Sequence, residues 1–444
     1  MWLVFECLTL QYGAHRNDHL YLKLETPIMK SFFTMLTLSL FLSFQSLNAA
    51  VWEDTNSWNM DYEKAYSAWM QSTAVREGMF TNTNSPYYGI STDCADTAYA
   101  MRAIFAFENK LPFAIINPSG SRDISKTLNN KSNKFDYAGP ENKRLVAMIT
   151  EIGDSVGTEN LTRFDTYSPA ISSIVPGSLF TYKMKARFGK FIRHAYNIKD
   201  INPVGTFDVI YSTQANHNAR GDLLRRRDRE FENLPSDPWG FRKFKWPQHL
   251  GLASSELPAE LGHSDEQYTL ATQMDTRAFF KYVGKKLATT TETSDERLTR
   301  IFNAVCFESQ ARVSYVNEAI KYLNETNNAC MDYEKFDAFS TPARDGALKE
   351  MYERLKQALA EAKQTGAGGT QAGMFADFIF NNKGAIQAEL QAACPVEYKP
   401  GTVINLSVFW KRLAAGKMSS HPNDIVEVRW GEKSSPATRC KRHY

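Results

Sequence analysis

The cysteine distribution limits this chain most. Of its six cysteines, Cys7 precedes an export-type segment, Cys94 stands alone in the N-terminal half, and Cys306, Cys330, Cys394 and Cys440 share the C-terminal half. In an oxidising compartment the odd set after residue 50 makes two crosslinks and leaves one thiol free. The simplest division frees Cys94 and ties the C-terminal half to itself. Helical periodicity runs over Ser294–Leu323. If Ser294 to Cys330 were one straight helix, Cys306 and Cys330 would lie about 36 Å apart at a rise of 1.5 Å per residue. A disulfide tolerates roughly 7 Å between Cα atoms. Either the helix breaks, or each of the two pairs with Cys394 or Cys440.

The oxidising compartment is itself an expectation from the N-terminus. Met29-Lys30 is a short basic start, Phe32 to Phe44 is an apolar run, and Leu47-Asn48-Ala49-Ala50 supplies small residues for cleavage. This is the order of a secretory signal, with residues 1–28 as an upstream extension. The expected destination is periplasmic or extracellular. No stable membrane span is expected after cleavage, because no later apolar stretch approaches about 18 residues. A net charge of +3 over 444 residues requires no polyanionic partner, so nucleic acid is not expected.

A chain of this length divides into two or three domains. Residues 51–250 read as one α+β domain. Tyr62, Ala65, Trp69 and Ala74 mark a helix face, and a turn runs from Thr81 to Pro86. A second helix covers Cys94–Glu108, with Cys94, Ala98, Met101 and Phe105 on one stripe. Residues 118–140 have loop composition. Strand signals follow at Ser178–Tyr182, Phe191–Ile198 and Thr206–Thr213, the last two joined by a hairpin-type connection over 200–205. Residues 251–365 are helical, with patterns over Tyr268–Leu287, Ser294–Leu323 and Ala347–Lys363. Thr365 to Thr370 reads as a flexible linker. A C-terminal region over 374–444 carries a short helix near Val408–Leu413 and a strand-like Ile425–Trp430.

The chemistry-bearing segment is Tyr87-Tyr88-Gly89-Ile90-Ser91-Thr92-Asp93-Cys94. A turn delivers a cysteine to the first turn of a helix, where free N–H groups and the dipole favour thiolate and can stabilise an oxyanion. A thiol nucleophile needs an imidazole to take and return its proton. His194, on a strand expected to pack against that helix, is the best placed. His217, His249, His263, His421 and His443 fall in loops or near the C-terminus. Asp208, on the following strand, is the candidate to orient the ring, with Ser212 and Gln214 as substitutes if the register turns it away.

The succession Tyr-Gly, Asp93-Cys94 opening a helix, Pro176-Gly177-Ser178-Leu179-Phe180, then Arg193-His194-Ala195-Tyr196-Asn197 resembles the NlpC-type cell-wall cysteine peptidases. Their pattern is Asp-Cys-Ser-Gly, a later Pro-Gly-Asp-Leu and a strand histidine. The His-x-aromatic-Asn stretch is also similar to that of transglutaminase-like hydrolases. Both resemblances imply a papain-like core, with Cys94 as nucleophile, His194 as base, and Tyr88 or Tyr87, beside Asp93, near the oxyanion.

Arg220, Arg225, Arg226, Arg227 and Arg229 lead into Trp239-Gly240-Phe241-Arg242-Lys243-Phe244-Lys245-Trp246. Basic residues interleaved with aromatics can line a groove for acidic, sugar-bearing polymers. Arg193, Trp239, Arg242 and Trp246 are its candidate lining, and peptidoglycan its expected substrate. No metal or phosphate-loop motif occurs, and no cofactor is expected. The sequence thus describes an exported Cys-His-Asp thiol hydrolase. An acyl transferase or an inactive envelope-binding protein on the same fold are the alternatives.

Overall fold

The computed structural model describes residues 50–116, 127–185, 191–212, 223–434 and 438–443. The signal segment and its upstream extension, together with Gln214, His217 and Arg220, lie outside the described residues.

Helix α1 (Met60–Gln71) begins at Asn59, whose side chain accepts from the backbone N–H groups of Asp61 and Tyr62. Helix α2 (Cys94–Glu108) has the bounds expected from the sequence, but every side chain from Cys94 to Ala106 is buried. The single apolar stripe is therefore exceeded, and the polar residues of α2 find partners inside the protein, apart from one buried oxygen of Asp96. Arg102 packs on the Trp58 ring at 3.4 Å and pairs with Glu63, which also accepts from the Trp246 indole N–H at 2.7 Å. Although burial works the other way, Arg102 keeps the Glu63 carboxyl below its ordinary range. A small ribbon of β1 (Ala114–Ile116) and β2 (Thr127–Asn129) and helix α3 (Glu141–Ser155) complete this layer.

A six-stranded antiparallel sheet follows, made of β3 (Thr166–Tyr167), β4 (Leu179–Lys185), β5 (Phe191–Ile201), β6 (Phe207–Tyr211), β7 (Leu224–Arg229) and β8 (Gly240–Phe244), in the order β3-β8-β4-β5-β6-β7. Alternation sends successive side chains to opposite faces. Leu179, Ala195 and Ile210 pack towards α2. Phe180, Tyr196, Ile198, Val209 and Tyr211 form a second core with Phe279, Val283 and Tyr315. The arrangement is α+β.

The last three residues of that second core come from α5 (Thr276–Leu287), which follows α4 (Glu266–Gln273), and from the long α6 (Ser294–Glu325). The hairpin 200–205 meets α5 closely: a Cβ on Gly205, at φ +80°, would fall 2.0 Å from the carbonyl oxygen of Gly284. Beyond α6 come α7 (Tyr333–Phe339), α8 (Pro342–Gln364), α9 (Gln371–Asn381) and α10 (Gln387–Ala393), the β9 (Val396–Lys399)/β10 (Thr402–Ile404) ribbon, α11 (Leu406–Ala414) and α12 (Val426–Arg429). These pack a separate core around Leu355, Phe375, Phe409 and Trp430. Among the described residues no helix is long and apolar enough to cross a membrane.

Two expectations are corrected here. Residues 365–370 are not a flexible linker but a tight junction between α8 and α9. Thr370 caps α9, Gly368 N–H donates to Asp295 at 2.7 Å, and a Cβ on Gly373 would come within 2.1 Å of Gly368 oxygen. Residues 425–430 form the short helix α12 instead of a strand; its last residue, Arg429, is fully buried.

Among the described residues the crosslinks are Cys306–Cys394 and Cys330–Cys440, and Cys94 is free. Helix α6 runs unbroken past Cys306, so Cys306 and Cys330 each take a distant partner. The two loops span 88 and 110 residues, a difference worth only about 0.2 kcal/mol of closure entropy. Cys394 is fully buried, whereas Cys330 is exposed. Replacing Cys306 and Cys394 by Ala should therefore lower unfolding free energy by about 3–5 kcal/mol. The Cys330/Cys440 pair should cost measurably less, despite its larger loop. Urea titration of the two double variants checks the order.

Candidate functional site

Cys94 is the first residue of α2, and Asp93 is its N-cap. The Asp93 carboxylate accepts from Ala95 and Asp96 N–H groups at 2.9 and 3.1 Å, and Asp96 returns a bond to Asp93 N–H. This capping box occupies two of the first-turn donors expected to stabilise an oxyanion. The N–H of Cys94 itself lies outside the cap. Asp96 is buried, so burial first and Asp93 second push its carboxyl well above the ordinary range.

The thiol sits at the border of the sheet. Cys94 Sγ lies 3.5 Å from Thr158 Oγ1 and 4.0 Å from the Arg193 carbonyl, and it accepts from Ala195 N–H. These last two groups belong to the residues on either side of His194. Loop and sheet are pinned together nearby, where Ser212 Oγ donates to Thr92 oxygen at 2.7 Å. The thiol is not poised as thiolate. Burial, and after it the charge of Asp93, push Cys94 up to about 12, overriding the helix dipole.

His194 is half-buried and shares its strand face with Tyr196, opposite the cross-strand neighbour Tyr182. Its ring meets Tyr196 edge-on at 4.4 Å and Tyr211 at 5.3 Å, with Tyr182 at 5.7 Å. Burial, then Arg229 and Arg226, push His194 down to about 3, so the imidazole is neutral at physiological pH. Arg226 donates to Tyr211 hydroxyl at 2.7 Å and pairs with Glu308 at 3.2 Å. Sequence reasoning missed this tyrosine–arginine cage. Its signal is the alternation of Tyr182, Tyr196 and Tyr211 on strands whose pairing is needed to see it.

Asp208 does not orient His194. A bulge at 198–200 pairs Asp208 with Asp200, six residues beyond His194 and roughly 20 Å along the strand. Its carboxylate instead accepts from Arg225 at 3.1 Å, Asp228 N–H at 3.0 Å and, more weakly, Asn202 at 3.4 Å. Tyr87 is also misplaced, because its hydroxyl donates to Glu108 at the far end of α2. Tyr88 is half-buried in the preceding turn.

The expected groove is not formed as a surface. Arg242 is buried, with its guanidinium donating to Thr166 Oγ1 and to the carbonyls of Thr162 and Thr166. Trp239 and Trp246 are core residues, 5% and 4% exposed. Arg193 is exposed and pairs with Glu159 at 2.7 Å. The arginine-rich segment is strand β7, which spends Arg225 and Arg226 on interior partners. A cavity of about 450 Å³ lies elsewhere, where Asn202, Asp208 and Asp228 face Thr299, Arg300 and Asn303 of α6. Among the described residues no cluster of His, Cys, Asp or Glu could hold a metal ion.

No protein-family model, curated protein or solved structure matches this chain. The likeness to NlpC-type and transglutaminase-like enzymes rests on the motifs alone.

Two outcomes follow from the protonation states. At pH 7.5 iodoacetamide should label Cys94 on the order of 10³-fold more slowly in the native protein than in urea, because so little thiolate is present. A comparable native rate would contradict the burial of the thiol. His194 is depressed in the folded state, so its contribution to stability is complete above the unfolded value near 6.5 and is lost as pH falls towards about 3. The Tm difference between wild type and His194→Phe should narrow or reverse over that interval in a pH series.

Proposed function

We propose that this chain is an exported thiol hydrolase of papain-like organisation, cleaving amide bonds in peptidoglycan peptides with Cys94 as nucleophile and His194 as base. One observation carries the reading: the free thiol among the described cysteines opens a buried helix and rests against the backbone on both sides of His194. The order of signal-type segments and the two disulfides support export.

In this mechanism the resting pair is neutral. As sulfur attacks the scissile carbonyl, the imidazole takes its proton, a step for which the His194 ring must turn out of its tyrosine face towards the Cys94 side of β5. Charge then separates only in the transition state. The Cys94 N–H at the helix mouth is the available donor for the developing oxyanion. His194 then delivers the proton to the leaving amine, and water, deprotonated by the same imidazole, hydrolyses the thioester. Arg226 and Arg229 oppose the imidazolium, and the tyrosines, not a carboxylate, hold the ring.

The same opposition favours a second reading. A thiol raised to about 12 beside a capping carboxylate, with no aspartate among the described residues on the imidazole partner, also suits an envelope-binding protein without turnover. Release of peptides from purified cell walls separates the two. The hydrolase reading expects release by wild type and a loss of about 10³-fold or more in Cys94→Ala at unchanged Tm. Retained activity in that variant overturns it. Cell-wall binding without release by wild type establishes the second reading. Incorporation of an added amine into the product reassigns the enzyme as a transglutaminase-like acyl transferase.

A further inference from the structure

The cavity of about 450 Å³ beside β7 carries a pattern that the thiol site does not use. Its floor is complete without a ligand. Asp228 takes Arg300 and Arg354, the latter at 2.7 Å, and Asp208 takes Arg225 at 3.1 Å. The walls differ from the floor, because their charged groups keep capacity to spare.

Asp295 and Glu296 stand at one end, in the first turn of α6. Glu296 accepts from Thr293 through Oε2 alone, and Asp295 accepts from the Gly368 N–H through Oδ1 alone. Among the described residues neither carboxylate has a cationic partner. At the other end Arg227 is exposed, with its guanidinium 4.6 Å over the Phe307 ring and no carboxylate against it among the described residues. Glu296, Thr299 and Asn303 recur at the spacing of one helix face, so this wall is a single straight edge. From Glu296 it runs about 10 Å to Asn303 and about 16 Å to Phe307, at 1.5 Å per residue. Between the ends, Asn303 offers a whole side-chain amide. Across from it Asn202, whose Nδ2 is taken by Thr206 at 2.9 Å, offers its oxygen.

We propose that this trough binds a short linear peptide in zwitterionic form, with its ammonium on Asp295 and Glu296 and its terminal carboxylate on Arg227. The geometry sets the length. An extended chain spans about 3.3–3.6 Å per residue, so three or four residues bridge the two ends. Guanidinium pairs with a carboxylate through two parallel hydrogen bonds, which fixes the direction in which the peptide lies. A ligand with one charge satisfies one end only. The site makes no use of Cys94, so it stands whether or not that thiol is a nucleophile.

The probe is tetra-alanine with free termini, titrated calorimetrically into the protein at low ionic strength, where exposed charges are least screened. Wild type should bind it saturably, with a Kd on the order of 1 mM or below, and Cys94→Ala should bind it equally well. Acetylating the amino end or amidating the carboxyl end should each weaken binding by about fivefold or more. Arg227→Gln should bind the free and amidated peptides alike. The double variant Asp295→Asn, Glu296→Gln should bind the free and acetylated peptides alike, while its amides keep the acceptor oxygens that cap the helix. Absence of saturable binding overturns the proposal, as does equal affinity of wild type for the blocked peptides or discrimination retained in the variants. Loss of binding in Cys94→Ala also overturns it, by placing the peptide at the thiol.

Discussion

Helix α2 has no face to give to solvent, and the N-terminal architecture is arranged around that fact. Its carboxylates, hydroxyl and guanidinium find partners in other elements: Arg102 in the Glu63–Trp246 contact and on Trp58, Thr97 in the preceding loop, Asp96 in the cap. Removing one partner of such a buried pair leaves an uncompensated charge, which costs far more than the pair contributes. The consequence is positional accuracy. The first turn of α2 is held against β5 by charge satisfaction at its middle and by apolar packing along its length, so the Cys94 sulfur is placed to within a side chain's freedom.

The same arrangement decides the electrostatics of the thiol. A helix start normally favours a negative sulfur, but here an aspartate has already claimed the first-turn N–H groups and brought its own charge. Burial then adds to the penalty on thiolate. On the other side of the β5 backbone, two arginines keep the imidazole neutral. Charge repulsion and desolvation therefore set both partners to their uncharged forms, and neither can be read as an ion pair at rest.

Local pattern made part of this legible. The bounds of α2 and the cores of β4, β5 and β6 followed from periodicity, and cysteine parity identified Cys94 as the free thiol. What failed did so because pairing partners decide it. Nothing local in the sequence announces the bulge that shifts β6 along β5 and carries Asp208 away from His194. The run of arginines in β7 carries solvent-like composition, yet a strand with buried carboxylates and phenols opposite it draws those guanidiniums inward. The aromatic–basic alternation around Trp239 and Arg242 looks alike on a surface strand and on β8, where both faces are covered. Ile425–Trp430 alternates like a strand, but it is too short to hold that form without a neighbour and coils beneath α6 instead.

The placement of the two crosslinks has a consequence for how the chain matures. All four bonded sulfurs lie beyond residue 300, so the N-terminal half of the chain reaches its final form without any oxidation step. During synthesis that half emerges first, and among its described residues it carries one sulfur of cysteine, that of Cys94. Burial inside α2 withdraws it, by access and by protonation, before the other four arrive and begin to exchange. Early closure of the helix layer thus guards the later pairing chemistry against the competing thiol of Cys94.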